Sequence, residues 1–196
     1  MKRHRLLYHY LINNTELFSS KDSRNILHFA PEKAFYDILS KMEHLNYYPG
    51  DLEPENYKFY RKTNIYKVNI TNLHFEDNFF DVILCNHVLE HIMEDEVAMA
   101  ELYRVMKIGG WGIFQVPIDF HRDKTYEDPT KTTPDERYQA FGQLDHVRWY
   151  GIDYPERLKK AGFEVHDIRY TDQFTAEEKF KHGFPEKESI YLCYKR

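Results

Sequence analysis

Three groups of residues carry the chemistry this sequence can offer. The first is His87-Val88-Leu89-Glu90-His91. It matches H-x-x-E-H, in which two histidines one helical turn apart hold zinc and the glutamate acts as base. The second is Asp51, which ends the strand-like stretch Asn46-Tyr47-Tyr48-Pro49-Gly50-Asp51 roughly 20 residues beyond the turn Phe29-Ala30-Pro31-Glu32-Lys33. A carboxylate so placed can accept both hydroxyls of a ribose. The third is the polar run from Ile118 to Val147, which holds Asp119, His121, Asp145 and His146 beside Arg122, Tyr126, Glu127, Asp128 and Gln143, with Arg148 just beyond it. These are groups able to take a proton from an acceptor.

The elements around these residues decide among the chemistries. A zinc pair needs both histidines on one established helix, yet His87 follows directly on Asp81-Val82-Ile83-Leu84-Cys85. That unbroken apolar run is of the type buried on both faces of a parallel sheet. Helical spacing becomes clear only from Glu94 to Met106, where Glu96 or Glu101 could complete a metal set. Gly109-Gly110 is expected to stop that helix, and Trp111 to Val116 reads as a further strand. The sequence thus sets His87 at a strand-to-helix corner, at the carboxyl end of a strand. Ligand crevices of open parallel sheets lie at that end.

Upstream, Arg3 to Phe18 has the spacing of an amphipathic helix. Asn25 to Phe29 reads as a short buried strand. Ala34, Phe35, Ile38, Leu39, Met42 and Leu45 then keep helical spacing. The junction between them offers free backbone N–H groups. Glu32 makes it a poor seat for phosphate and a better one for an amino group. Asn46 to Asp51 is a second strand, and Leu52 to Asn64 has room for a turn or a single helical turn. Ile65 to Val68 is a third strand, with Asn69 and Ile70 at its carboxyl end. Asn69 can address an adenine edge as donor and acceptor. Downstream, residues 118–147 read as a substrate lid. A short helix from Asp153 to Gly162, a strand over Phe163–Tyr170, a polar helix or loop over Gln173–His182 and a last strand over Ser189–Tyr194 follow.

Composition narrows the function classes. The 196 residues favour one domain, with residues 1–20 as an N-terminal helix and 118–147 as the lid. A net charge of −5 disfavours a nucleic-acid backbone as partner. No stretch approaches the ~18 apolar residues of a membrane span, and Leu6 to Ile12 is a poor signal peptide, so a cytoplasmic location is expected. Cys85 and Cys193 sit in apolar runs and read as buried free thiols.

Taken together, Ile26-Leu27-His28-Phe29-Ala30-Pro31-Glu32, Gly50-Asp51-Leu52, Asn69 through Ile83, Asn86-His87-Val88-Leu89-Glu90-His91-Ile92 and Glu101 through Trp111 resemble the successive motifs of class I S-adenosylmethionine-dependent methyltransferases. The HFAPE junction and Phe141 through Arg148 are similar to one bacterial subgroup of that family. The resemblance implies a doubly wound, Rossmann-like α/β fold: seven strands, mostly parallel, the last antiparallel. It implies S-adenosylmethionine as cofactor, with the methionine part at Phe29, Ala30, Pro31 and Glu32. The ribose would lie on Asp51 beside Leu52, the adenine near Asn69 and Ile70, and the sulfonium against Asn86 and His87. Two departures stand out: the first turn has no glycine, and Asn69 replaces the usual acid at the adenine.

Methyl transfer needs alignment more than chemistry from the protein. A hydroxyl acceptor also needs a base. Candidates are His87, His121, His146, Asp119 and Asp145, with His146 and Asp119 favoured because both lie in the lid. By elimination the acceptor is a small molecule or a glycan-type hydroxyl, and no resident metal is expected. Two rivals stand beside this reading: a non-catalytic S-adenosylmethionine-binding regulator, motivated by the missing glycines, and a zinc metallohydrolase using His87, Glu90 and His91.

Overall fold

Apolar side chains alternate between two faces along the central strands of the computed structural model, which describes residues 2–57 and 65–196. Part of the Leu52–Asn64 turn expected from sequence therefore lies outside the described residues. Strands β1 (Arg24–Phe29), β2 (Leu45–Asp51), β3 (Tyr66–Lys67), β4 (Phe80–Asn86) and β5 (Met106–Gln115) run parallel in the order 3-2-1-4-5. Two later strands complete the seven-stranded sheet. The last, Ile190–Tyr194, is antiparallel and inserts between β5 and Glu164–Ile168. This is the mixed, Rossmann-like sheet that the sequence implied.

Period-two alternation explains why both faces are covered. Ile26, Val82, Leu84, Ile113 and Leu192 point to one core, and Leu27, Ile83, Cys85, Phe114 and Cys193 to the other. The first core is closed by helix α1 (Lys2–Asn14), through Leu6, Leu7, Tyr10 and Leu11, and by α2 (Lys33–Leu39), through Phe35 and Leu39. The second is closed by α3 (Asp95–Val105), through Ala98, Met99, Leu102 and Val105. Cys85 and Cys193 are buried and unpaired, and burial pushes both thiols well up, so they pack as small apolar groups.

Three expectations change. Helix α2 ends at Leu39, and Leu45 belongs to β2 rather than to a longer helix. Lys107–Gly110 do not cap α3: β5 begins at Met106, and its register against β4 shifts between Phe80 and Val82. Gly109 takes φ +80° within that irregular stretch. The polar segment after β5 is no bare loop. It contains β6 (Tyr126–Glu127), α4 (Pro134–Phe141) and, just beyond it, β7 (Arg148–Trp149), with β6 and β7 paired antiparallel. Thr133 and Glu136 cap each other's backbone at the start of α4, and Gly142 closes it at φ +78°. Helix α5 (Tyr154–Lys160), strand β8 (Glu164–Ile168), α6 (Ala176–His182) and β9 (Ile190–Tyr194) end the chain.

Candidate functional site

A cavity of about 530 Å³ opens at the carboxyl ends of β1, β2, β3 and β4. Phe29 and Ala30 follow from β1, Asp51, Leu52 and Glu53 from β2, Val68, Asn69 and Ile70 from β3, and His87, Val88, His91 and Ile92 from β4. Asp145 reaches it from the segment between α4 and β7. Apolar walls with a few polar groups at one end suit a nucleoside. The carboxylate of Asp51 accepts from the backbone N–H of Glu53 at 2.8 Å and from the Tyr57 hydroxyl at 2.7 Å. A carboxylate has about four acceptor positions, so capacity for ribose hydroxyls is left.

Two of the three non-glycine residues with positive φ among the described residues line this cavity: Ala30 at φ +43° and His87 at φ +56°. The first turn therefore keeps a left-handed conformation without glycine. Alanine is the smallest side chain that can stand there, at a cost of about 1–2 kcal/mol. Asn69 is also more constrained than its sequence suggests. Its Oδ1 accepts from both the backbone N–H and the hydroxyl of Thr71, at 3.0 and 2.9 Å. The amide orientation is thereby set, with Oδ1 rather than the NH₂ turned to Thr71.

Residues 33–114 match a methyltransferase domain family. The chain carries an S-adenosylmethionine-dependent methyltransferase domain. Among solved structures, a chain from the complex of the Haloferax volcanii Trm112 methyltransferase activator with a methyltransferase superposes with TM-score 0.63 at 14% identity, covering 98% of this chain and 90% of that one. An S-adenosylmethionine-dependent methyltransferase assignment from Listeria monocytogenes gives TM-score 0.62 at 19% identity, covering each chain fully, 100% and 100%. A Burkholderia thailandensis 1,6-didemethyltoxoflavin-N1-methyltransferase with bound S-adenosylhomocysteine gives 0.60 at 13% identity, over 99% of this chain and 77% of that one. At these identities the likeness is one of fold. No curated protein matches the chain in sequence.

Three residues expected at the cofactor of the methyltransferase domain do not line the cavity: Pro31, Glu32 and Asn86. Glu32 turns inward. Its Oε2 lies 2.7 Å from Nε2 of buried His28, and its Oε1 accepts from Asn86 Nδ2 at 3.3 Å, with His4 of α1 at 3.7 Å. Burial alone would raise the Glu32 carboxyl, but the hydrogen bond with His28 and the pull of His28 and His4 hold it below its ordinary value. Glu32 thus braces the turn from beneath. Helix α1, which offered no chemistry in the sequence, supplies one of its partners.

His87 also lines a second cavity of about 220 Å³ on its other side. Arg3 of α1, Pro117, Ile118, Phe120, Glu188 and Tyr191 are among its walls. Burial pushes the Glu188 carboxyl up, and His87 and Arg3 pull it back without cancelling that rise. Sequence reasoning missed Arg3 and Glu188. The signal for Glu188 was indirect: an antiparallel last strand must begin where the parallel strands end, so the residues just before β9 arrive at the ligand edge.

The favoured proton acceptors occupy neither cavity wall. Asp119 sits in a turn, where its carboxylate accepts from the backbone N–H of His121 at 3.0 Å and from Arg122 Nε at 2.9 Å. His146 is buried, which lowers its pKa, and packs edge-on against His91 with ring centroids 4.8 Å apart. The H-x-x-E-H pattern does not form a helix. Leu89–His91 is one 3₁₀ turn, entered from the left-handed His87. Among the described residues, the group able to hold a metal is instead Glu90, His91 and His146.

Arg148 ties β7 to that turn. Its buried guanidinium donates to the carbonyls of Leu89 at 3.0 Å and Met93 at 2.9 Å, and also to that of Ile92. It pairs with buried Asp95 at 3.4 Å and with Glu127 at 3.3 Å. Asp95 also accepts from Tyr150 Oη and from Arg157, both at 2.7 Å. Two carboxylates thus meet two guanidiniums where β6 and β7 join that turn.

Proposed function

We propose that the domain transfers a methyl group from S-adenosylmethionine in the larger cavity to a small hydroxyl-bearing acceptor, a metabolite or a terminal sugar, in the smaller one. The observation that carries this reading is that the two cavities share one wall residue, His87. When bound, the cofactor supplies a methyl group already activated on a sulfonium. Asp51 holds the ribose, Leu52, Asn69 and Ile70 receive the adenine, and Phe29 and Ala30 border the methionine end. His87, fixed by its backbone N–H donating to the Gln115 carbonyl at 2.7 Å, sets the passage between donor and acceptor. Holding the acceptor in line is the main contribution to rate.

The base we assign is Glu188 rather than His146 or Asp119, because Glu188 borders the acceptor cavity and they do not. Its raised pKa makes it a better proton acceptor than an ordinary carboxylate. Arg3, on the same wall, is suited to a polar or anionic part of the acceptor.

The reading is tested by titrating S-adenosylhomocysteine calorimetrically and by assaying methyl-labelled cofactor against a panel of small alcohols and sugars. Binding should be lost in Asp51→Ala. Transfer, but not binding, should be lost in Ile118→Trp, which fills the smaller cavity. Failure to bind at millimolar ligand, or transfer that survives Ile118→Trp, would overturn it.

A further inference from the structure

The Glu90, His91 and His146 cluster lies beside the cofactor cavity, and the methyl-transfer reading does not use it. Each of the three offers a ligand atom within 4.8 Å of the other two. Glu90 and His146 are almost fully buried, at 1% and 3% exposure. Oε2 of Glu90 and Nδ1 of His146 are buried and have no hydrogen-bond partner among the described residues. Leaving such a group unsatisfied costs about 1–3 kcal/mol, and two at one place call for a common cause. One cation would satisfy both.

His91 is prepared in the same sense. Its Nδ1 lies 3.3 Å from the Asp145 carboxylate and 3.3 Å from the Asp145 carbonyl, and its Nε2 has no hydrogen-bond partner among the described residues. An Nδ1–H held by a carboxylate fixes the tautomer that presents Nε2 as a ligand. Zinc-binding histidines are oriented in this way by outer carboxylates. The other oxygen of Glu90 is engaged by Nδ1 of His87 at 3.2 Å, which orients that carboxylate too. The backbone holds the two halves together, because the N–H of Val147 donates to the Glu90 carbonyl at 2.9 Å.

We propose that Glu90, His91 and His146 form a binding site for one divalent first-row transition-metal ion, zinc being the best fit, on the wall of the cofactor cavity. Two imidazoles and one carboxylate are a borderline-soft set suited to zinc and poorly suited to magnesium. Three protein ligands leave one tetrahedral position open. His91 and Asp145 both line the cavity, so the ion borders it. Zinc–ligand bonds of about 2.0–2.2 Å need the three atoms to draw closer than they stand here, a movement within reach of side-chain rotation. His87 belongs to the surrounding shell rather than to the ligand set. This separates the proposal from the metallohydrolase motif in the sequence.

The test is calorimetric titration of tag-free, chelator-treated protein with Zn²⁺, Co²⁺ and Mg²⁺, with elemental analysis after dialysis. The expected result is one Zn²⁺ per chain, a higher melting temperature with Zn²⁺, and Co²⁺ absorption of tetrahedral intensity. Affinity should fall by at least about a hundredfold in His146→Gln and in Glu90→Gln, and by less in His87→Gln. Far-UV circular dichroism and a cooperative melt establish that each variant is folded. Zn²⁺ binding absent from the folded wild type, unchanged in His146→Gln, lost chiefly in His87→Gln, or matched by Mg²⁺ would each overturn the proposal.

Discussion

At the scale of single residues, the first turn answers the question its missing glycines raised. Ala30 adopts the left-handed conformation that glycine takes without steric cost. A methyl side chain is tolerated there, and a branched one is not. Ala30→Val should therefore destabilise the fold by about 2 kcal/mol, which for a chain of this length lowers Tm by roughly 4–8 °C. It should also weaken S-adenosylhomocysteine binding, because Ala30 borders the cavity. Ala30→Gly relieves strain but loosens the unfolded chain, and these terms of about 1 kcal/mol oppose each other. Its Tm should stay close to wild type and its affinity be retained. Melts and calorimetry of the pair check this. Equal behaviour of Val and Gly at this position would remove the strain argument.

Secondary-structure elements meet where β7 packs on the 3₁₀ turn, and there one side chain does what several usually share. Arg148 joins β7 to the 3₁₀ turn and to α3 through three carbonyls and Asp95. Removing one partner from a buried charge cluster costs about 3–5 kcal/mol, since the remaining charge is left uncompensated. Arg148→Met should therefore lower Tm by roughly 10 °C. Arg148→Lys should recover little of this, because an ammonium cannot replace a planar fork. A melting temperature within about 2 °C of wild type would show that the cluster does not hold this junction. The sheet that this junction caps was legible in the sequence, since β1, β4 and β9 contain short apolar runs that the structure buries. The segment after β5 was read only as a long polar loop, and its elements were missed. Its charges hid the Thr133–Pro134–Asp135–Glu136 start of α4, although a Thr followed three residues later by Glu is itself a helix-start signal. Asp51, Asn69 and His87 could be placed from strand ends alone. Glu32 could not, because whether it faces the cavity or His28 depends on α1, which is remote in sequence. Glu188 was hidden for a similar reason: only the antiparallel insertion of β9 brings it to the site.

Over the whole molecule, unfavourable features gather at one edge of the sheet. Four of the five buried polar atoms without a partner among the described residues belong to Arg3, Asn86, Glu90 and His146, all at the carboxyl edge or the lid beside it. The strained Ala30 and His87 and the half-buried acid Glu188 lie there too. The body of the sheet, packed on both faces, offsets these costs, as expected when stability is exchanged for a working site. Glu188 makes this measurable. Its folded pKa lies above its value in the unfolded chain, so the folded state binds the extra proton between the two values. Stability must then fall as pH rises through that window, and stay reduced above it. Glu188→Gln cannot ionise and escapes this loss. Its melting temperature should match wild type near pH 4, below the ordinary Glu range of about 4.3, and exceed wild type at neutral pH. The same substitution should lower methyl transfer by about 10²–10⁴-fold, with S-adenosylhomocysteine affinity unchanged. Wild-type transfer should decline as pH falls through the raised Glu188 value, because the base is then protonated. A variant that is less stable than wild type at neutral pH, or one that keeps its transfer rate, would show that Glu188 is a structural carboxylate rather than the base.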